Sequence, residues 1–363
     1  MGRSLPLVYA TPGNHEAHPT NAFSPQTIAP DTNTWLYNLL STTWSDWIGS
    51  SAADTVSDLG IYSVLVPDTN LRMISLNTNM WYVQNYWLYQ RDMPADPDGQ
   101  IDWLARELDG AEQRGERAYI IGHMAPGDHD AFHAQSNYLD QVIDRYGETI
   151  AGMFFGHTHL DELQINYADN DNPSAAGARA VSYIAPSLTP THGHPSFRVY
   201  TVDPETFAVL DAETWIADMA NPTFQETPTW TKLYSAKEAY APHLSPEDEL
   251  TPSAWHNITE SLASTPDLLT SYLSRKSRGW DVAECDESCR DDEICKMRGG
   301  RAENNCHVPS LGSSFRKRSQ ETRGHADDCG SSVVGGVMGV LGVNEEAVKL
   351  LTDKVEEKRS LLI

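Results

Sequence analysis

The sequence predicts a layered α/β fold (α+β in its later part), and three observations carry that expectation. Short apolar runs of buried-strand length stand at residues 5–10, 118–121 and 150–155. A helical pattern precedes the second of these runs, so helix and strand alternate. From Leu163 onward several strand-like runs follow one another, which predicts a β-rich second layer.

In chain order, residues 35–48 read as a helix with Trp35, Leu39, Trp44 and Trp47 on its apolar face. Residues 61–66 and 71–76 read as adjacent strands across a Pro67-Asp68 turn. Ile101, Leu104, Leu108 and Ala111 recur at helical spacing, and Gly115 stands where that helix should stop. After the runs at 118–121 and 150–155, strands are expected over 163–167, 180–185, 197–203 and 209–216. A polar break over 221–231 leads into helical segments through Arg275, with a linker at 242–249 and helix starts at Ser253 and Pro266. The expected organisation is a domain over 1–220, a helical, cysteine-containing subdomain over 221–310, and a disordered tail over 311–363 with a short amphipathic helix. The apolar stretch at 333–343 is too short and glycine-rich to span a bilayer.

Three His-bearing strings each follow one of the first apolar runs: Gly13-Asn14-His15-Glu16, Ile121-Gly122-His123 and Gly156-His157-Thr158-His159. Neutral imidazoles and an amide oxygen suit zinc, iron or manganese, and two-metal hydrolases combine such ligands with carboxylates. Asn14, His123, His157 and His159 are therefore candidate metal ligands, emerging at one sheet edge where loops carry chemistry on a rigid scaffold. The glycines ahead of them permit tight backbone geometry. His157 and His159, at alternate positions, project to the same side if the segment is extended. A lone His is usually an ordinary surface or core residue; the ordered set of three strings carries the inference.

That ordered set resembles the calcineurin-like metallophosphoesterase superfamily, and the similarity extends toward acid sphingomyelinase and its phosphodiesterase relatives. It is carried by Thr11-Pro12-Gly13-Asn14-His15-Glu16, Leu71-Arg72-Met73-Ile74-Ser75-Leu76-Asn77, Ile120-Ile121-Gly122-His123-Met124-Ala125-Pro126-Gly127 and Phe154-Phe155-Gly156-His157-Thr158-His159-Leu160-Asp161-Glu162. Phe197-Arg198-Val199-Tyr200, Pro252-Ser253-Ala254-Trp255-His256-Asn257 and the cysteines from Cys285 to Cys306 extend it, so it covers roughly residues 5–306. The resemblance implies a two-sheet β-sandwich flanked by helices, with a disulfide-stapled helical C-terminal subdomain. It implies two divalent ions, zinc before others, with Asn14, His123 and His157 on one and His159 on the other. His15 would be the acid that protonates the leaving alkoxide, a role an imidazole beside a phosphate can fill. The implied reaction is in-line attack by a metal-bridged hydroxide on a phosphodiester, with sphingomyelin cleaved to ceramide and phosphocholine. The pairs Cys285–Cys289 and Cys295–Cys306 are implied as disulfides, leaving Cys329 over. Two alternatives stand beside this reading: a phosphodiesterase acting on nucleotides or other small phosphate esters, and a truncated, non-catalytic secreted lipid-binding protein.

The family also uses an Asp-x-His string and a Gly-Asp string ahead of Gly-Asn-His-Glu. Neither precedes Gly13, and the one Gly-Asp pair, Gly127-Asp128, follows His123 and is out of order. The expectation is an N-terminally truncated chain, weakly active or inactive alone, without the family's lipid-presenting helical module or a signal peptide. No cysteine flanks the metal motifs, so the catalytic-core disulfide of animal relatives is not expected.

A formal net charge of −25 argues against nucleic acid and anionic membrane surfaces as partners. The expected partner is a phospholipid, sphingomyelin, or a small phosphodiester, with at most peripheral membrane contact. The cysteines cluster late and lack paired Cys-x-x-Cys knuckles, which favours disulfides and a secreted or lysosomal setting. Asn257-Ile258-Thr259 is a glycosylation sequon. Trp81, Tyr82, Tyr86 and Trp87 form an aromatic cluster that packs beneath a loop or lines a choline pocket. His192 and His194 lie in a loop within range of the metal motifs, and Asp161 and Glu162 are candidate partners for the imidazoles.

Overall fold

A computed structural model of the chain describes residues 7–90, 93–191, 193–280, 282 and 284–306. The expected tail at 311–363, Cys329, His192 and the first residues of the 5–10 run lie outside the described residues.

Six strands form the main sheet: β1 (Tyr62–Leu65), β2 (Leu71–Ser75), β3 (Arg117–Ile121), β4 (Ile150–Phe155), β5 (Glu162–Tyr167) and β6 (Ala178–Ile184). Their spatial order is β1-β2-β3-β4-β6-β5. The inner neighbours run parallel, and the edge strands β1 and β5 pair antiparallel. The second sheet is an antiparallel meander of β7 (Ser196–Val202), β8 (Val209–Ala217) and β9 (Trp230–Ser235).

Alternation along the central strands explains how the layers stack. Ile120, Met153 and Phe155 point to one face, where they join Leu104 and Leu108 of α3 (Gln100–Arg114) and Leu139 and Ile143 of α4 (His133–Arg145). Each fully buried Leu there stabilises the fold by about 1.5–3 kcal/mol. Tyr119 and Phe154 point to the other face, toward the second sheet. Phe154 meets the Tyr200 ring edge-on at 4.8 Å between centroids. The two sheets therefore face each other across an aromatic layer.

The short α5 (Ala236–Tyr240) and the C-terminal helices α6 (Pro252–Ser264), α7 (Pro266–Lys276) and α8 (Glu287–Arg298) share a second core with β5, β6 and β8. Thr251 caps α6, its Oγ1 accepting from the Ala254 amide at 3.1 Å, with Pro252 at the first position. The helix thus starts one residue before the expected Ser253. Pro266 opens α7 as expected. Disulfides Cys285–Cys289 and Cys295–Cys306 bracket α8, the pairing that the resemblance implies.

Several expectations are corrected. β5 and β6 join the first sheet, so the second layer begins only at β7. Residues 7–10 form no strand; the Ala10 carbonyl accepts side-chain bonds from Tyr62 and Ser75 in place of a backbone ladder. In α1 (Thr34–Ile48) the buried face is Leu36, Tyr37, Leu40, Trp44 and Ile48, while Trp35 and Leu39 are exposed. Trp44 lies on the buried face and Trp47 packs against its margin, so the expected stripe is right in its second half and rotated in its first. α2 (Ser50–Leu59) and α4 were not expected, because small or polar residues such as Ala52, Gln135, Ser136 and Asp140 share their buried faces. β9 overlaps the polar break, and its first three residues are exposed.

Candidate metal centre

The parallel strands end in register. Ser75 lies beside Ile121, and Ile121 beside Phe154. The chain leaving each strand stays tied to its neighbour: Leu76 N donates to Ile121 O, Gly122 N to Phe154 O, and Gly156 N to His123 O. His123 and His157 are thereby delivered to one edge, the carboxyl end of the parallel strands, where open α/β sheets bind ligands. The Gly13 loop lies across the same edge, with Thr11 Oγ1 donating to Leu76 O and Asn79 Nδ2 to Gly13 O.

Three candidate ligands meet there. Asn14 is buried, and its Nδ2 donates to Asn21 Oδ1 at 2.8 Å, which turns Oδ1 toward His123. Asn14 Oδ1 lies 2.9 Å from His123 Nε2, and His123 Nε2 lies 3.2 Å from His157 Nδ1. Tetrahedral ligands about 2.0–2.1 Å from an ion stand about 3.3 Å from one another. His123 Nε2 thus stands at ligand-to-ligand spacing from both the Asn14 oxygen and the His157 nitrogen.

Glycine serves this edge by close approach. A Cβ on Gly122 would sit 2.6 Å from Thr78 Cγ2 and 2.9 Å from the Phe155 ring. A Cβ on Gly156 would meet nothing nearer than 3.9 Å. The unusual backbone belongs to the histidines instead. His157 (φ 73°) and His159 (φ 62°) are both left-handed, a conformation costing roughly 1–2 kcal/mol for a side chain with Cβ. The extended segment expected for them is absent, and the two rings have different neighbours. His159 Nδ1 faces Thr191 Oγ1 at 2.8 Å, in a loop whose Ser187 and Thr191 carbonyls accept from the buried Arg278 guanidinium.

On the far side of His157 is a group that sequence order alone had set aside. Asp130 Oδ2 lies 3.3 Å from His157 Nε2, and Asp128, His129 and Asp130 bring their ligand-type atoms within 4.8 Å of one another. His129 Nδ1 is 2.9 Å from Asp128 Oδ1. Asp128 Oδ2 is buried with no hydrogen-bond partner among the described residues. The out-of-order Gly127-Asp128 pair is thus part of the site, by a route motif spacing does not reveal.

Burial drives His123 down to about 3, and the charges of His157, His159 and His15 push the same way against Asp128. At neutral pH the His123 ring is therefore uncharged, the form in which an imidazole can offer a lone pair to a cation. Burial also acts to lower His157, but the bond to Asp130 and the charges of Asp128 and Asp130 leave it raised. Burial alone would raise Asp128; the charge and hydrogen bond of His129, with His157, hold it below the carboxylate range. His15 stands exposed beside Asn14, within electrostatic range of His123.

Other candidates lie elsewhere. Asp161 is buried against Arg198, Thr214 and Tyr234, and Glu162 pairs with Lys276 at 2.8 Å; both serve the packing of the layers. His194 Nδ1 accepts from the Met219 amide, and its ring meets Trp280 edge-on. The aromatic cluster is split: Trp81 and Tyr82 are core, with Tyr82 edge-on to His157 at 5.1 Å, whereas Tyr86 is exposed and stacked on Trp87. Asn257 is exposed on α6, within a helix.

Residues 3–161 match the calcineurin-like phosphoesterase family. The chain carries a calcineurin-like metallophosphoesterase domain. Its matched region holds every candidate ligand named above, and such a domain implies divalent metal ions. The chain is 33% identical over 311 residues to sphingomyelin phosphodiesterase 1 of Caenorhabditis elegans, covering 85% of this chain and 53% of the worm protein. It is 35% identical over 304 residues to human sphingomyelin phosphodiesterase, covering 82% of this chain and 46% of that protein. With mouse acid sphingomyelinase-like phosphodiesterase 3b the identity is 29% over 311 residues, 80% of this chain and 64% of the mouse protein. The chain thus spans about half to two thirds of the length of these relatives. Among the described residues no helix is long and apolar enough to cross a membrane.

Proposed function

We propose that this chain is the metal-binding part of a phosphodiester hydrolase acting on sphingomyelin or a closely related phosphodiester. The observation that carries the reading is that Asn14 Oδ1 and His157 Nδ1 each lie at ligand-to-ligand spacing from His123 Nε2. Asn14, His123 and His157 would hold one divalent ion and His159 the other, and the mixed nitrogen and oxygen donors favour zinc. Bound there, such ions polarise phosphoryl oxygens and make a water molecule more acidic. The chain's own residues orient and protonate: Asn21 fixes the Asn14 amide, and exposed His15 donates a proton to the departing alkoxide. The names of the relatives support sphingomyelin as substrate.

The two disulfides support an oxidising setting, secreted or lysosomal, in which exposed Asn257 would be open to glycosylation. We place the catalytic unit at residues 1–220 and the stapled helical unit at 221–310, with β9 at the start of the latter reaching back to complete the second sheet. The deciding experiment is metal analysis of the purified chain, followed by turnover of labelled sphingomyelin against a nucleoside triphosphate. Histidine-dependent metal uptake, with weak turnover at most and that turnover on sphingomyelin, is the expected result. Metal uptake with nucleotide turnover alone moves the substrate, and no uptake at all overturns the hydrolase reading.

A further inference from the structure

We propose that Asp130 is a positioning residue for the metal centre, fixing which nitrogen of His157 faces the ion. The inference rests on the reading that His157 is a ligand, and goes beyond it by assigning a task to a loop outside the three His-bearing strings.

The argument is one of tautomers. A neutral imidazole has one N–H and one lone pair, and the partner of one nitrogen decides the state of the other. His157 Nε2 looks at Asp130 Oδ2 at 3.3 Å, while Nδ1 looks at His123 Nε2 at 3.2 Å. A carboxylate can only accept, so its bond puts the proton on Nε2 and leaves the Nδ1 lone pair facing His123. Metal-bound histidines commonly give their other N–H to a carboxylate in this way.

Asp130 is itself held. Its amide donates to Asp128 Oδ1 at 3.1 Å, and its carbonyl accepts from Val83 N at 2.8 Å. Its other oxygen lies 3.5 Å from His129 Nε2. Tyr82, edge-on to the His157 ring, limits rotation of the imidazole. The loop beneath is seated on the C-terminal segment. Asn305 Nδ2 donates to Gly127 O at 2.6 Å, and a Cβ on Gly127 would lie 1.9 Å from Gly299 O.

The test is a Co²⁺ titration of the full chain, read by visible d–d absorption. Asp130→Ala should weaken Co²⁺ binding roughly 10- to 100-fold and alter the band. Asp130→Asn, which keeps an acceptor oxygen, should recover most of the affinity and the wild-type band; a loss due only to loosened packing would leave the band of the bound ion unchanged. Wild-type affinity and spectrum in Asp130→Ala would overturn the proposal. Should that variant fail to fold by near-ultraviolet circular dichroism, ¹⁵N shifts of His157 in the zinc-loaded wild type decide: protonated Nε2 with metal on Nδ1 supports it, and the reverse overturns it. If the wild-type chain takes up no histidine-bound ion, the reading of the site fails, and this inference with it.

Discussion

His123 and His157 leave the ends of two hydrogen-bonded strands, whereas His159 is anchored through Thr191 to a loop that Arg278 braces from beyond α7. The first pair is rigid because the sheet is rigid. The second position depends on a guanidinium supplied from more than 110 residues downstream of His159. If the strand-borne pair serves one ion and His159 the other, the first ion position is a property of the sheet. The second is a property of how the C-terminal segment docks.

The strongest way to break this contrast is to remove a strand-borne ligand. His123→Ala should weaken Co²⁺ binding by more than about 100-fold, exceeding the loss from an outer partner. A change confined to the second of two binding steps would dissolve the contrast. The next effect is on pH. Below pH 6.5 the unfolded chain takes up a proton at His123 that the folded chain refuses until about pH 3. Unfolded chain then binds more protons, so metal-free stability falls with acid across that window, by at most about 1.4 kcal/mol per pH unit. His157 works the other way: its raised value gives stability that is full below pH 6.5 and lost as pH climbs through the folded value. Urea midpoints of His123→Gln between pH 6.5 and pH 3 should fall less steeply than wild type.

Arg278→Met sharpens the comparison from the opposite side. It strips a donor from the Thr191 carbonyl, at about 1–3 kcal/mol if that oxygen is left unpaired, while the Ser187 carbonyl keeps its bond from the Ser196 amide. Co²⁺ titration should show the weaker site affected and the tighter one kept. The smallest effect is expected for Thr191→Val, which removes one hydrogen bond to His159, about 0.5–1.5 kcal/mol by denaturant titration.

The rigid half was the more legible in the sequence. The runs ahead of His123 and His157 have strand length and apolar character, and both are strands ending at the shared edge. The helix from Gln100 to Arg114 and its Gly115 stop follow from local spacing for the same reason. What escaped notice depends on contacts distant in sequence. Nothing local in Asp128-His129-Asp130 marks it as a neighbour of His157, and Arg278 bears no motif at all. Asp161 misled because adjacency to His159 suggested a shared task; its carboxylate turns instead to Arg198. The left-handed backbone at His157 and His159 has no signature either, since glycine is the residue that ordinarily announces it.

Gly127 touches backbone from the Gly299-Gly300 turn, a segment that the Cys295–Cys306 bridge closes into a ring. The loop that carries Asp130 therefore leans on a covalently closed segment far from it in sequence, through the Asn305 side chain and the Gly299 carbonyl. Because the bridge limits how far that segment can move, part of the loop's support is covalent rather than a matter of packing alone.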